Sequence, residues 1–562
     1  MESLNRRAGL CDALTLGVGL TLALTYLAGH AASAQGLDSG EVVAVIHGGG
    51  RLHPPGFPVY TALARLFTAL TPWSTAQALS IFSALSGALS GGLLCGLAQR
   101  LGARPMSAAV AALAFGLAPP VFRVHTEPEV FALGHVFALL LCHEGLSLWE
   151  HGSAMTARWP HGTAVRSLRL GLAASLSFGA HPVGVLLLPI AALGLYRLLR
   201  SPFKTRDWFA LILGAALGLC PYALLFLASG EPRWGRLDDL GSLTAHALRL
   251  DYGALSLGLE TRPFSPAAVT TQVSMFVFYS GLSGAALAVL GLLPSAERRP
   301  QIWALRAAVL LGLVAFPLLA GRPLELDDEV AGRFFGMTTL AAYLAAALGL
   351  DALRTRLAHG PRSVRLLFIG GGILSLTFVA ALCLVESRHA ASLVSHYADV
   401  ALDALPPDAV LIGHEDTEAS VFWEARYARG RRLDVTYVHA PLLPAAWYAE
   451  KVERETGYRQ PDGLAGERAL IAHLLASGRP VFSTLPPATV LLSAVSFRPH
   501  SVVFSLREVD AAHPSIETIG ATLPPRPNLD GVWSLRPSEA RLLERFEKAR
   551  SWVEVQRQQI ND

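Results

Sequence analysis

Asp38-Ser39-Gly40-Glu41, with His53-Pro54-Pro55-Gly56-Phe57-Pro58 shortly after it, stands just past a first apolar run at residues 9–29. Two carboxylates and a rigid His-Pro turn therefore sit on the first loop behind a hydrophobic segment, where ionisable groups are costly unless they serve a purpose. Asp38 and Glu41 lie one helical turn apart, so in a helix both project from one face. A carboxylate at a membrane surface can take the proton of a hydroxyl, or orient it through a hydrogen bond. The same residues also suit a plainer role, with Asp38-Ser39-Gly40 capping a short helix and Glu41 at its positive end. In the second motif the prolines fix φ and Gly56 permits a tight turn, giving a stiff loop that either positions a ligand or simply turns the chain.

Composition places this loop in a membrane protein. Of 562 residues, 52% are hydrophobic and only 16% charged, below the roughly 25% charged residues of soluble domains. The excess is confined to about the first 385 residues, where apolar runs approach the ~20 residues of a bilayer crossing. They fall at 9–29, 76–98, 106–121, 129–149, 168–180, 182–196, 208–229, 267–292, 302–320, 334–352 and 366–385, which predicts about eleven spans. Arginines fill every second connection: Arg6-Arg7, Arg100 and Arg104, Arg158/Arg166/Arg169, Arg197/Arg200 with Lys204 and Arg206, Arg298-Arg299, and Arg354/Arg356/Arg362/Arg365. This positive-inside alternation predicts a cytoplasmic N-terminus and a polar tail outside. The first run and the Ala-rich residues 31–34 imitate a signal peptide. We read the run as retained, because cleavage would cut the first span from the loop it positions.

The net charge of +3 is too small to indicate a nucleic-acid partner. Cys11, Cys95, Cys142, Cys220 and Cys383 all lie in or beside apolar segments, so the tail carries no disulfide framework. That tail, residues 386–562, has ordinary composition and reads as a separate, small α/β domain with a mainly parallel sheet. Strands are predicted at 409–413, 435–439, 481–484 and 502–506, helices at 417–427 and 447–456, and a closing helix at 537–559.

Further polar residues collect in the outer connections. Arg123, His125, Glu127 and Glu129 form one group, in which Arg123 suits a phosphate or an ion pair with Glu127. Arg333, in Gly332-Arg333-Phe334-Phe335, is placed equally well for a lipid phosphate or for snorkelling to headgroups. His181 stands at the turn between the fifth and sixth runs. The histidines are scattered and no His/Cys cluster has ligand spacing, so the sequence displays no metal site. His414-Glu415-Asp416-Thr417 follows a strand and opens a helix, where Asp416 or Thr417 is an expected cap and α/β sheets often bind ligands.

In their order along the chain these motifs resemble one family, that of the bacterial and eukaryotic membrane proteins that include the transmembrane O-mannosyltransferase acting on plexin-type extracellular domains. The resemblance is carried by Leu37-Asp38-Ser39-Gly40-Glu41, His53-Pro54-Pro55-Gly56-Phe57-Pro58-Val59-Tyr60 and Glu129-Val130-Phe131-Ala132-Leu133. It continues through Trp234-Gly235, Leu248-Arg249-Leu250-Asp251-Tyr252-Gly253, Arg333-Phe334-Phe335, Pro407-Asp408-Ala409-Val410-Leu411, Arg432-Leu433-Asp434-Val435 and Trp447-Tyr448. Departures are Phe57, where the family usually has Tyr, and His414-Glu415-Asp416, where it usually has an Asn-rich or Asp-Asn sequence.

The resemblance implies a GT-C-type fold and a glycosyltransferase that takes a sugar, mannose in the relatives, from a polyprenyl-phosphate carrier. It implies Asp38 as catalytic base with Glu41 beside it, and His53, Arg123, Glu129, His181, Arg249, Tyr252 and Arg333 around the donor. Its implied partners are the lipid-linked donor, membrane lipids and a protein, lipid or glycan acceptor; it fixes no cofactor and leaves a divalent metal open. Two other classes share parts of the pattern: a polytopic transporter or flippase, and a non-catalytic envelope-assembly protein. A transporter would place charged or broken-helix residues near the midplane, whereas the ionisable residues here collect at one face.

Overall fold

Each apolar run of the first 385 residues winds into helix, because a chain in lipid must satisfy its backbone groups internally. The computed structural model describes residues 2–151, 162–200, 204–250, 266–293, 299–319, 329–389, 393–459, 466–485, 495–508, 539–548 and 551. Among them, eight helices are long and apolar enough to cross a membrane, or nine if Pro105–Leu117 and Pro119–Thr126, bent by 70°, make one broken span. The expected number was about eleven. The two predicted runs outside those nine are helical as well: Gly162–Ala180 is diluted by Ser, Gly and Arg, and within Arg299–Leu319 the apolar stretch among the described residues is Pro300–Val314.

Contacts group the residues into two units. The first holds Met1–His30, Pro54–Leu227 and Asp239–Arg388. Its helices meet through small residues. Gly171 and Gly214 let Gly162–Ala180 and Thr205–Leu219 touch backbone to backbone, and Gly291 and Gly349 do the same for Pro266–Gly291 and Glu329–Leu357. Lipid tails offer no hydrophobic drive between helices, so such close van der Waals approach supplies the association. Helix Arg362–His389 presents Leu366, Leu367, Ile373, Leu374 and Phe378 outward, as a lipid-facing helix does.

The second unit holds Ala31–His53, Ala228–Asp238 and His389–Asp562. The boundary expected at residue 386 is therefore not a single cut, since two loop segments from the membrane part pack with the tail. The tail carries five strands: β1 (Val410–Gly413), β2 (Thr436–His439), β3 (Val481–Ser483), β4 (Val495–His500) and β5 (Val503–Glu508), in the order β2-β1-β3-β5-β4. The four expected strands are present, but the sheet is mixed rather than mainly parallel. β1 runs parallel to β2 and β3, while β5 pairs antiparallel with β3 and β4. The unpredicted β4 pairs through a tight turn in which Ser501 is left-handed (φ 58°). Residues 539–548 are helical, as expected of the closing helix; the rest of its predicted range lies outside the described residues.

Candidate active site

Helix Ser39–Gly48 begins at Asp38, and the structure separates the two roles open to that residue. The Asp38 side chain makes no capping hydrogen bond. Ser39 Oγ turns back instead and accepts the Gln35 N–H at 3.0 Å. Glu41 is buried, and its carboxylate is held by His53, whose backbone N–H donates to Oε1 at 2.8 Å and whose Nδ1 lies 3.1 Å from both oxygens. A buried carboxylate needs such donors to offset its lost hydration. Asp38 is less enclosed, and one ligand-type atom from each of Asp38, Glu41 and His53 lies within 4.8 Å of the others.

That gathering is a group that could hold a metal ion, although no His/Cys cluster is spaced to do so: two carboxylates and an imidazole come together across a loop whose spacing does not advertise it. Their present bonding is of hydrogen-bond type. Carboxylate oxygens only accept, so Nδ1 between two of them carries the proton. A cation would take Asp38 and Glu41 oxygens first, with His53 joining only after losing that proton.

Tail residues hold this loop, a feature no local sequence signal discloses. Ser420 Oγ accepts the Glu41 N–H at 2.8 Å and Thr417 Oγ1 accepts the Leu37 N–H at 3.2 Å. Thr417 thus faces the loop instead of capping its own helix, Asp416–Trp423; the Glu415 N–H there donates to Glu418 Oε2 at 3.3 Å. Gly40 fits because it lacks a Cβ, which would lie 2.5 Å from the Ser420 carbonyl oxygen. Ala44 enters the core of Phe422, Trp423 and Tyr397. Arg51 and Arg233 form a parallel bridge, and Arg51 donates to the Trp234 and Gly235 carbonyls at 3.0 and 3.1 Å. Burial, and then the nearby Arg233 charge, lower the Arg51 pKa to about 10. The Trp234 ring contacts His53, Trp423 and Trp447 at 5.9, 6.0 and 5.6 Å.

The remaining candidates belong to the membrane unit, where three converge. Arg333 Nη1 pairs with Glu129 Oε1 at 2.9 Å, nearly enclosed on both sides, and its guanidinium lies over Phe131 at 5.7 Å. The buried His181 ring stacks on Phe57 at 5.2 Å and lies 4.4 Å from Phe131 and 5.9 Å from Phe334. His181 Nδ1 accepts the Val183 N–H, so that nitrogen is the unprotonated one. Phe57 reaches this ring from a sharp turn in which Gly56 (φ 84°) and Phe57 (φ 42°) are both left-handed. Arg123 lies on Pro119–Thr126, two residues before His125, and Arg249 ends the turn after Leu240–Ala247 with φ 56°. Tyr252 lies outside the described residues.

A carboxylate pair on the first loop, a bundle of membrane helices and an appended α/β unit define the class: this is a GT-C-type membrane protein with several spans. The fold matches the crystal structure of ArnT from Cupriavidus metallidurans bound to undecaprenyl phosphate with a TM-score of 0.54, over 90% of this chain and 99% of that one, at 15% identity. Residues 38–203 match the family described as the Protein O-mannosyl-transferase TMEM260 N-terminal domain. The mouse Protein O-mannosyl-transferase TMEM260 is 26% identical over 445 residues, 75% of this chain and 62% of that protein. The Dictyostelium discoideum protein of the same name is 26% identical over 283 residues, 46% of this chain and 34% of that one. These matches bear out the family resemblance read from the sequence. The chain spans less than two thirds of the length of either curated relative.

Proposed function

We propose that this protein is an inverting glycosyltransferase that moves a sugar, mannose by likeness to the mouse relative, from a polyprenyl-phosphate carrier to an acceptor hydroxyl at the outer membrane face. The reading is carried by the gathering of Asp38, Glu41 and His53 within 4.8 Å on a loop whose helix Asp38 does not cap. In the reaction the acceptor oxygen attacks the anomeric carbon opposite the phosphate. The new C–O bond forms as the carbon–phosphate oxygen bond breaks, the carrier phosphate keeps that electron pair, and the acceptor proton passes to Asp38. Glu41, whose oxygens are engaged by His53, is the support that fixes the loop. In the membrane unit, Arg333, beside Glu129 and His181, is the group suited to a phosphate, whose oxygens a guanidinium matches.

The test is transfer by the purified protein from a panel of undecaprenyl-phosphate sugars, mannose among them, to peptide, glycan and lipid acceptors. Sugar-labelled product with released undecaprenyl phosphate is the expected result. Transport of a lipid-linked sugar across vesicles without product would replace the enzyme by a flippase, and neither activity would leave an assembly protein.

A further inference from the structure

We propose that His125 and His135, in a buried hydrogen-bonded chain with Tyr26, are positioning residues that hold the Glu129–Arg333 pair. The proposal deepens the reading above by naming what sets the geometry on its phosphate side. All three side chains are fully buried in the membrane unit. Tyr26 O–H donates to the Gly116 carbonyl at 2.8 Å, His125 Nδ1 lies 3.0 Å from the Tyr26 oxygen, and His125 Nε2 lies 3.0 Å from His135 Nδ1. One carbonyl then fixes every proton. Because the Tyr26 hydrogen is spent on Gly116, His125 Nδ1–H must donate to Tyr26; His125 Nε2 is then a lone pair and accepts from His135 Nδ1–H. With both rings neutral, His135 Nε2 is a buried acceptor with no hydrogen-bond partner among the described residues.

The chain ties together the elements that carry the pair. His125 closes helix Pro119–Thr126 and His135 lies in the first turns of Phe131–His151, so their bond pins both ends of the connection that holds Glu129. The far edge of the His135 ring abuts Gly336, where a Cβ would lie 2.9 Å from Nε2. Gly336 stands one turn beyond Arg333 on Glu329–Leu357, on the same helix face. Phe115 seals both rings edge-on at 6.2 and 5.8 Å. An apolar pair would pack here without any polar atom to satisfy. Polar residues kept inside a membrane bundle mark a functional requirement, and a hydrogen-bonded network specifies one arrangement of the elements it joins.

The experiment compares full-length His135→Phe, His135→Asn and Gly336→Ala with the wild type in detergent. Asparagine can donate where Nδ1 does, phenylalanine keeps only the ring, and Gly336→Ala pushes the ring while leaving every donor and acceptor of the chain present. One readout is affinity for undecaprenyl phosphate itself; the other is modification of Arg333 by phenylglyoxal, followed by mass spectrometry and independent of any ligand. His135→Phe and Gly336→Ala should each weaken undecaprenyl phosphate binding about tenfold and speed Arg333 modification, while His135→Asn stays within about threefold of wild type. Equal Arg333 modification in wild type and both disruptive variants would overturn the proposal, as would equal impairment of the Asn and Phe variants. If the wild type itself fails to bind undecaprenyl phosphate, the donor reading falls and the Arg333 modification rates alone decide the clamp.

Discussion

At the scale of single residues, Asp38 and Glu41 are alike in sequence and different in structure. Glu41 is spent on His53, whereas Asp38 is neither capping nor fully enclosed. Asp38→Asn keeps the shape but cannot take a proton, so turnover should fall by about 10²–10⁴ with membrane insertion unchanged. Glu41→Gln retains an acceptor for the His53 N–H and should fall less; a deeper loss in Glu41→Gln would exchange the two roles. Because His53 Nδ1 carries its proton between the Glu41 oxygens, transfer should persist in excess EDTA. Activity abolished by EDTA and restored by manganese or magnesium would instead make the three residues a metal site. The acid pair was legible in the sequence, as was its membership of the first loop. The His53–Glu41 bond was not, because nothing local tells a stiff His-Pro turn to fold back on the helix before it.

At the scale of elements, the loop helix is placed by contacts that pair distant residues. Gly40 gives the measurable case: alanine there forces Ser39–Gly48 away from the Ser420 carbonyl, or shifts Asp416–Trp423. Overpacking of this kind costs about 1–3 kcal/mol. Gly40→Ala should therefore lower thermal stability and reduce transfer, while Gly49→Ala, where the backbone is left-handed (φ 75°) and no atom lies near, should act only through backbone strain. If Gly40→Ala is as stable and active as wild type, the loop does not depend on this approach. Helices and strands themselves were readable, since hydrophobic periodicity and β-branched runs are local signals. β4 was missed because Val495–His500 mixes Ser, Arg and Pro into the run, and its pairing to β5 depends on the turn. The parallel-sheet expectation failed for the same reason: helix-strand alternation describes β1 to β3, then stops.

At the scale of the whole molecule, composition located the membrane part and the tail but could not assign the loops between spans to either. Segment 31–53 is short and polar in places, so by composition it belongs to the loop it interrupts; only the contacts of Gly40, Glu41 and Ala44 give it to the tail unit. Arginine alternation predicts the orientation. In a background lacking native cysteines, Leu240→Cys and Glu450→Cys should react with an impermeant thiol reagent from outside, and His359→Cys should not; the reverse pattern would invert the topology. Membership of the loop in the tail unit has its own consequence. A fragment of residues 389–562 lacks the segment that covers Phe422 and Trp423 and engages Ser420 and Thr417. A peptide of residues 31–53 should therefore bind the folded fragment and raise its melting temperature, since a ligand of the folded state alone adds about 2.7 kcal/mol at 100 times its Kd. The same peptide with Gly40→Ala should add much less, because its Cβ meets the Ser420 carbonyl. A fragment that melts cooperatively at one temperature with either peptide or none would show that the tail completes its own core, leaving the first loop to be positioned from the membrane side alone.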